Sequence, residues 1–397
     1  MSFQPLPAPN TSRNASIAAL GVLLLCAASI FVGNTLNRDL ALETFWPGYS
    51  ALIENLHHPA SWWRWVLGDI SEVAFYKHEF ASIGLLAGAA LGWWANRTAK
   101  RWQGFAICYG TGLWPSLVTS SLLGLLLSNL LWGWTVTADN WQPTFAAFVS
   151  LPAAMVLLFG GSPKVVINGA ILGALLVTPA CLLIVNYVCT PLALPAVIGN
   201  VAGMAVASVV AFSLCKSLPV LVQSNAPAQA VPLPAAPERK HGVTWGLRRI
   251  LADFSEAPFF GNEWASLGLI LGAVLAYALN PVSPFYGSGW LLELLAGQAF
   301  ASAVGIVVWR RRWISKGWYP TYIPVVSVVP AAILVHGASL PVIAMAAIFG
   351  GLIAPPLAAA ISTRLPSHMH GYIGNVTSMA LSTLLILPLI GWVISTF

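Results

Sequence analysis

The stretch DISEVAFYKHEFASIGLLAGAAL, Asp69 to Leu91, recurs 184 positions later as DFSEAPFFGNEWASLGLILGAVL, Asp253 to Leu275, with 12 of 23 positions identical. Self-similarity at a fixed period marks a chain built from two copies of one unit, and the fold has to be read as a pair. The repeated residues include Asp69/Asp253, Ser71/Ser255, Glu72/Glu256 and Glu79/Glu263, in a chain with only 12 acidic residues.

The likeness extends along the whole unit. GTGLW at Gly110 answers GSGWL at Gly287, and WQPTF at Trp141 answers WYPTY at Trp318. Further on, AILGALLVTP at Ala170 parallels AIFGGLIAPP at Ala347, and IGNVAGMA at Ile198 parallels IGNVTSMA at Ile373.

With 397 residues, 58% hydrophobic and 8% charged, the composition is far from the roughly 25% charge of soluble domains. Apolar runs of about 18 to 25 residues, long enough to cross a hydrocarbon core about 30 Å thick, occur eleven times. They are continuously apolar instead of alternating, which predicts helices and excludes a barrel. The expectation is an all-α polytopic membrane protein of about eleven transmembrane helices, one N-terminal helix plus two inverted five-helix repeats.

Residues 1–36 read as a cytoplasmic leader and an uncleaved first helix, because no small-x-small cleavage site follows the apolar run. Residues 37–78, rich in Trp and of mixed polarity, read as an extracytoplasmic interfacial segment. Repeat 1 covers 79–218, a Pro- and Ala-rich cytoplasmic linker covers 219–243, and 244–397 holds a second interfacial segment and repeat 2.

Five spans per unit is an odd number, so the second copy enters from the opposite side and the halves should be inverted. The charges agree. With the N-terminus cytoplasmic, 15 of the 18 Lys and Arg fall inside, and only Arg38, Arg64 and Lys77 fall outside. The predicted location is the cell inner membrane, with the C-terminus extracytoplasmic. The basic residues are thus topology signals beside apolar runs, and no nucleic-acid partner is expected.

Asp69 with Glu72, and Asp253 with Glu256, have the three-residue spacing of a helix N-cap and its acidic partner, so the four are expected to be structural caps of the repeats. Glu79 and Glu263 open a spanning helix, where the positive end of the helix dipole favours a carboxylate. Alternatively, they dip toward a central cavity and hold a cation, a proton or an amine.

Glu293 lies in the apolar run WLLELLAGQAF, and repeat 1 has Ser116 at the matching position. A carboxylate inside a bilayer needs a partner or a cavity unless it snorkels to the headgroups. Gln298 follows as a possible continuation of a polar stripe. Asn200 and Asn375 occupy one place in the two IGNV motifs, where an amide either lines a solute path or bonds a neighbouring helix. Thr144/Ser150 and Thr321/Ser327 follow the WxPT motifs, and their hydroxyls are expected to bond their own backbone. Pro179 and Pro356 are expected to break matching helices.

The five Cys show no CxxC pair, and His368 with His370 is too sparse to define a metal site, so no metal or cofactor is expected. P-loop, GxSxG and HExxH motifs are absent, which disfavours an enzyme.

The expected function is an integral inner-membrane transporter of a small solute or ion, proton- or cation-coupled. Its pathway would be formed by Glu79, Glu263, Glu293, Asn200, Asn375 and Gln298. A passive small-solute channel and a non-transporting scaffold or export-machinery subunit are the alternatives. The lipid bilayer is the other partner, and the composition is compatible with an oligomer.

Overall fold

The computed structural model describes residues 44–137, 143–223 and 241–396; these are helical and carry no strands. Six helices are long and apolar enough to cross a membrane, which makes this a membrane-embedded protein. They are Trp114–Thr135, Pro163–Cys189, Ala196–Ser217, Leu291–Val308, Leu340–Ser362 and Tyr372–Thr396.

The expected count of eleven is not reached among the described residues. The first helix, expected over 15–36, lies outside them, as does most of the linker. Pro143–Phe159, Glu263–Leu279 and Ile323–His336 are apolar but shorter. Glu79–Arg97 is 19 residues long, with a charged residue at each end, and is less apolar than the six.

The two copies form matching sets. In the first, α1 is Pro59–Ser71, α2 Glu79–Arg97, α3 Trp114–Trp132, α4 Leu151–Phe159, α5 Pro163–Cys189 and α6 Ala196–Ser217. In the second, α7 is Val243–Asp253, α8 Glu263–Leu279, α9 Leu291–Val308, α10 Val328–His336, α11 Leu340–Ser362 and α12 Tyr372–Thr396.

The connection from α1 to α2 is built the same way as that from α7 to α8. Phe75 and Phe259 both take left-handed backbone, with φ of 70° and 64°, as do Lys77 and Gly261 at 47° and 54°. The Ser71 hydroxyl bridges the backbone N–H and C=O of His78, and the Ser255 hydroxyl does the same for Asn262. His78 and Asn262 then cap the next helix, each side chain accepting from the N–H two residues on. The chain therefore turns back sharply, and α2 and α8 start at Glu79 and Glu263.

Among the described residues, α2 and α8 make the most extensive helix contact. A Cβ on Gly84 would strike the carbonyl oxygen of Gly268, and one on Gly268 would strike that of Gly84. Gly88 approaches Trp264 in the same way, and Gly272 approaches Phe80. As numbering rises along one helix it falls along the other, so the two cross antiparallel. Equivalent glycines meet at the centre. This is a close small-residue crossing, in which van der Waals packing holds the pair because no side chain separates the backbones.

α4 and α10 are nine residues each, about 13.5 Å at 1.5 Å per residue, and are too short to cross a bilayer without the turns that precede them. Each follows a 3₁₀ turn, Pro143–Ala147 or Ile323–Val326, with a break at Ser150 or Ser327. Residues 143–156 and 319–333 are buried throughout. Irregular backbone at this depth is tolerated when protein encloses it. The hydroxyls of Ser150 and Ser327 bond the carbonyls four residues back, at Ala146 and Ile323.

The expected paired proline breaks take different forms. α5 widens into π turns at Gly173–Val177 and Val185–Cys189, on either side of Pro179. α11 keeps Pro355 and Pro356 inside one helix.

Replacing Gly84 by Leu should abolish folding, and Gly84→Ala should cost about 1 to 3 kcal/mol. Thermal melts of the purified protein in detergent check this. Gly84→Ala and Gly268→Ala together should depart from additivity, because the two positions touch.

Candidate functional site

Asp69 and Asp253 are not N-caps. Asp69 lies in the last turn of α1, and Asp253 is the last residue of α7. A carboxylate there opposes the helix dipole and is also buried, so a neighbouring cation stabilises it. Lys77 supplies it in the first copy, reaching Asp69 and also Glu72, the latter at 2.7 Å. In the second copy Arg249 supplies it, binding Asp253 at 2.9 Å and also Glu256. Glu72 and Glu256 are therefore ion-pair members, and neither closes a capping box.

The rest of each cluster is matched as well. Thr144 Oγ1 donates to Asp69 at 2.7 Å, and Thr321 Oγ1 donates to Asp253 at 2.9 Å. The Trp65 indole donates to Thr144, and the Trp313 indole to Thr321. Asn129 completes the shell of Asp69, and Ser302 that of Asp253. Both cations lie over an indole, Lys77 at 3.5 Å from the Trp65 ring centre and Arg249 at 4.7 Å from that of Trp313.

The cations come from different repeat positions. Lys77 matches Gly261, and Arg249 matches Trp65, so the chain exchanges a loop cation for a helix cation and keeps the cluster. Burial pushes the Glu72 and Asp253 carboxyls up, and Lys77 and Arg249 respectively oppose it.

Glu79 and Glu263 are held at the helix starts. Arg64 Nε binds Glu79 at 2.5 Å, with the Trp46 indole at 2.8 Å. Arg248, at the position matching Arg64, binds Glu263 at 2.6 Å, and the Phe105 N–H donates to the same carboxylate.

A cavity lies where the halves meet, with about 40 Å³ in which the centre of a water molecule can sit. Its walls come in matched pairs: Phe75 with Phe259, Phe145 with Tyr322, Val201 with Val376, and Met204 with Met379. Asn200 and Glu72 also face it, whereas Glu79, Glu263 and Gln298 are not among its lining residues.

Asn375 donates to the Tyr322 hydroxyl at 3.1 Å, while Asn200 is fully buried with neither side-chain atom hydrogen-bonded. Gln298 is satisfied by Tyr76, Ala74 and Val325, tying the second copy to the loop of the first. Glu293 is buried in the first turn of α9 with both oxygens unpartnered.

Glu256 faces a separate recess of about 280 Å³ with Tyr109, Arg249 and Trp318. Among the described residues, no group of three or more metal-ligating side chains assembles.

Reading the sequence missed Lys77, Arg249, Arg64 and Arg248 as ion-pair partners. The signal was present for the last two, since an Arg stands 15 residues before Glu79 and again before Glu263. Lys77 and Arg249 occupy non-matching positions and leave no repeat signal. Comparison with protein-family models, curated proteins and solved structures finds no match.

Lys77→Gly should cost about 3 to 5 kcal/mol by stranding two buried carboxylates. Adding Trp65→Arg puts a cation where the second copy has Arg249, at the expense of the Trp65 indole, and should recover part of the loss. Melts of the single and double variants measure it; a double variant no more stable than Lys77→Gly would contradict the equivalence.

Proposed function

We propose that the chain is an integral inner-membrane transporter of a small solute, with an N-terminal helix followed by two inverted five-helix repeats. The solute site is the cavity between them. One observation carries this reading: the cavity is walled by equivalent residues of both copies, which sites at a repeat interface require. The antiparallel crossing of α2 and α8 through Gly84 and Gly268 supports the inversion, because equivalent helices of inverted units must run in opposite directions. The half-length, enclosed α4 and α10 are the discontinuous elements that such sites use.

Glu293 is the coupling carboxylate in this reading. Glu79 and Glu263 are neutralised by Arg64 and Arg248, while Glu293 is buried without a partner in only one of the two copies. A proton binding there would remove the cost of an unpaired buried charge.

Two measurements test the proposal. In a cysteine-free background, Ala99→Cys and Val282→Cys, each just after one of the two crossing helices, should react with a membrane-impermeant maleimide from opposite sides of the membrane. Labelling from the same side would contradict the inversion. In proteoliposomes loaded with a pH-sensitive dye, a mixture of small neutral solutes should dissipate an imposed proton gradient, and Glu293→Gln should slow this at least tenfold. Solute flux that ignores both the gradient and the substitution would establish the passive channel instead.

A further inference from the structure

The amide of Asn200 sets the chemistry of the central cavity. Its residue is fully buried, it lines the cavity, and neither Oδ1 nor Nδ2 has a hydrogen-bond partner in the protein. A buried amide left in this state is costly, so its persistence calls for a ligand. The other copy shows how the cost can be avoided: Asn375 uses the Tyr322 hydroxyl, and the first copy has Phe145 in that place. With Phe in place of Tyr, one amide of the pair is left without a partner in the wall of the shared cavity.

The walls narrow the ligand further. Glu72 is the carboxylate among them; one oxygen is ion-paired with Lys77 at 2.7 Å and the other accepts from the Tyr286 hydroxyl at 3.2 Å. No free carboxylate is offered to an ammonium group, and the lining holds no Lys or Arg to attract an anion. The remaining surface is aliphatic, aromatic and thioether, with Tyr322 and Tyr372 as its other polar side chains, and suits the apolar face of a small molecule. The space holds about three waters, which corresponds to a ligand of roughly three to five heavy atoms.

We infer that the cavity recognises a small uncharged molecule with a hydrogen-bond donor and acceptor side by side, as in a primary amide or urea, through the Asn200 side chain. The Asn amide presents one donor and one acceptor in a plane, and such a molecule pairs with both at once. The inference rests on the reading of this cavity as the solute site and names the class of solute.

The test uses the full chain in nanodiscs, with acetamide, urea, acetate and methylammonium as probes and saturation-transfer NMR as the readout. Acetamide and urea should receive saturation, and acetate and methylammonium at equal concentration should receive markedly less. Asn200→Leu should reduce the acetamide signal at least tenfold without lowering the melting temperature, because the amide has no protein partner to lose. Phe145→Tyr supplies the hydroxyl that satisfies Asn375 in the other copy, and should cause a similar loss of binding with a raised melting temperature.

The inference is overturned if wild-type protein binds neither acetamide nor urea, if either charged probe binds better, or if both variants bind acetamide as wild type does. Acetamide binding without acetamide flux in proteoliposomes would uphold the site and sink the transport reading. Flux of another solute without acetamide binding would sink the site alone.

Discussion

The rest of the structure depends on the crossing of Glu79–Arg97 and Glu263–Leu279, where Gly84 and Gly268 meet with no side chain between their backbones. In a membrane, helices gain little from hiding apolar surface from one another, and close packing of small residues takes over as the driving force. The crossing joins the two copies at equivalent positions and sets their relation. It fixes where the preceding turns lie, since Ser71 and Ser255 tie those turns to the first residues of the same helices. The turns in turn carry Phe75 and Phe259 to the cavity wall.

Around this crossing the two copies are alike in architecture and unlike in selected side chains, and the differences are informative. The buried acidic pairs each have an indole, a threonine donor and a cation, although the cation and the indole come from different positions in the two copies. The cavity behaves otherwise. Phe145 against Tyr322 leaves one amide satisfied and its twin free, and Ser116 against Glu293 gives one copy a buried carboxylate that the other lacks. Compensated changes maintain the scaffold; uncompensated ones fall at the centre and at α9, where a solute and a coupling proton would act.

Much of the scaffold was legible in the sequence. The duplicated 23-residue segment locates both crossing helices, and the spacing of Gly84 with Gly88 and of Gly268 with Gly272 is the small-xxx-small pattern that brings them together. Helical membrane architecture followed from composition. What could not be read was the break and the burial: Pro143–Phe159 and Ile323–His336 look like plain spans by hydropathy, yet each is interrupted at Ser150 or Ser327 and enclosed by protein. The acidic spacing of Asp69 with Glu72 fitted a cap equally well, and only the tertiary approach of Lys77 and Arg249 reveals the ion pairs. Asn200 and Asn375 were visible as a pair, but their unequal state depends on Phe145 and Tyr322, some fifty residues away in the chain.

The central claim is that equivalent residues of two opposed copies enclose a polar solute site with Asn200 as its free group. A density map of the full chain in a nanodisc, soaked with acetamide, tests it most directly. The account expects ordered density within hydrogen-bonding distance of both Oδ1 and Nδ2 of Asn200, between the Phe75 and Phe259 side chains. A collapsed, dry interface, with the Asn200 amide bonded to a protein group, would contradict it.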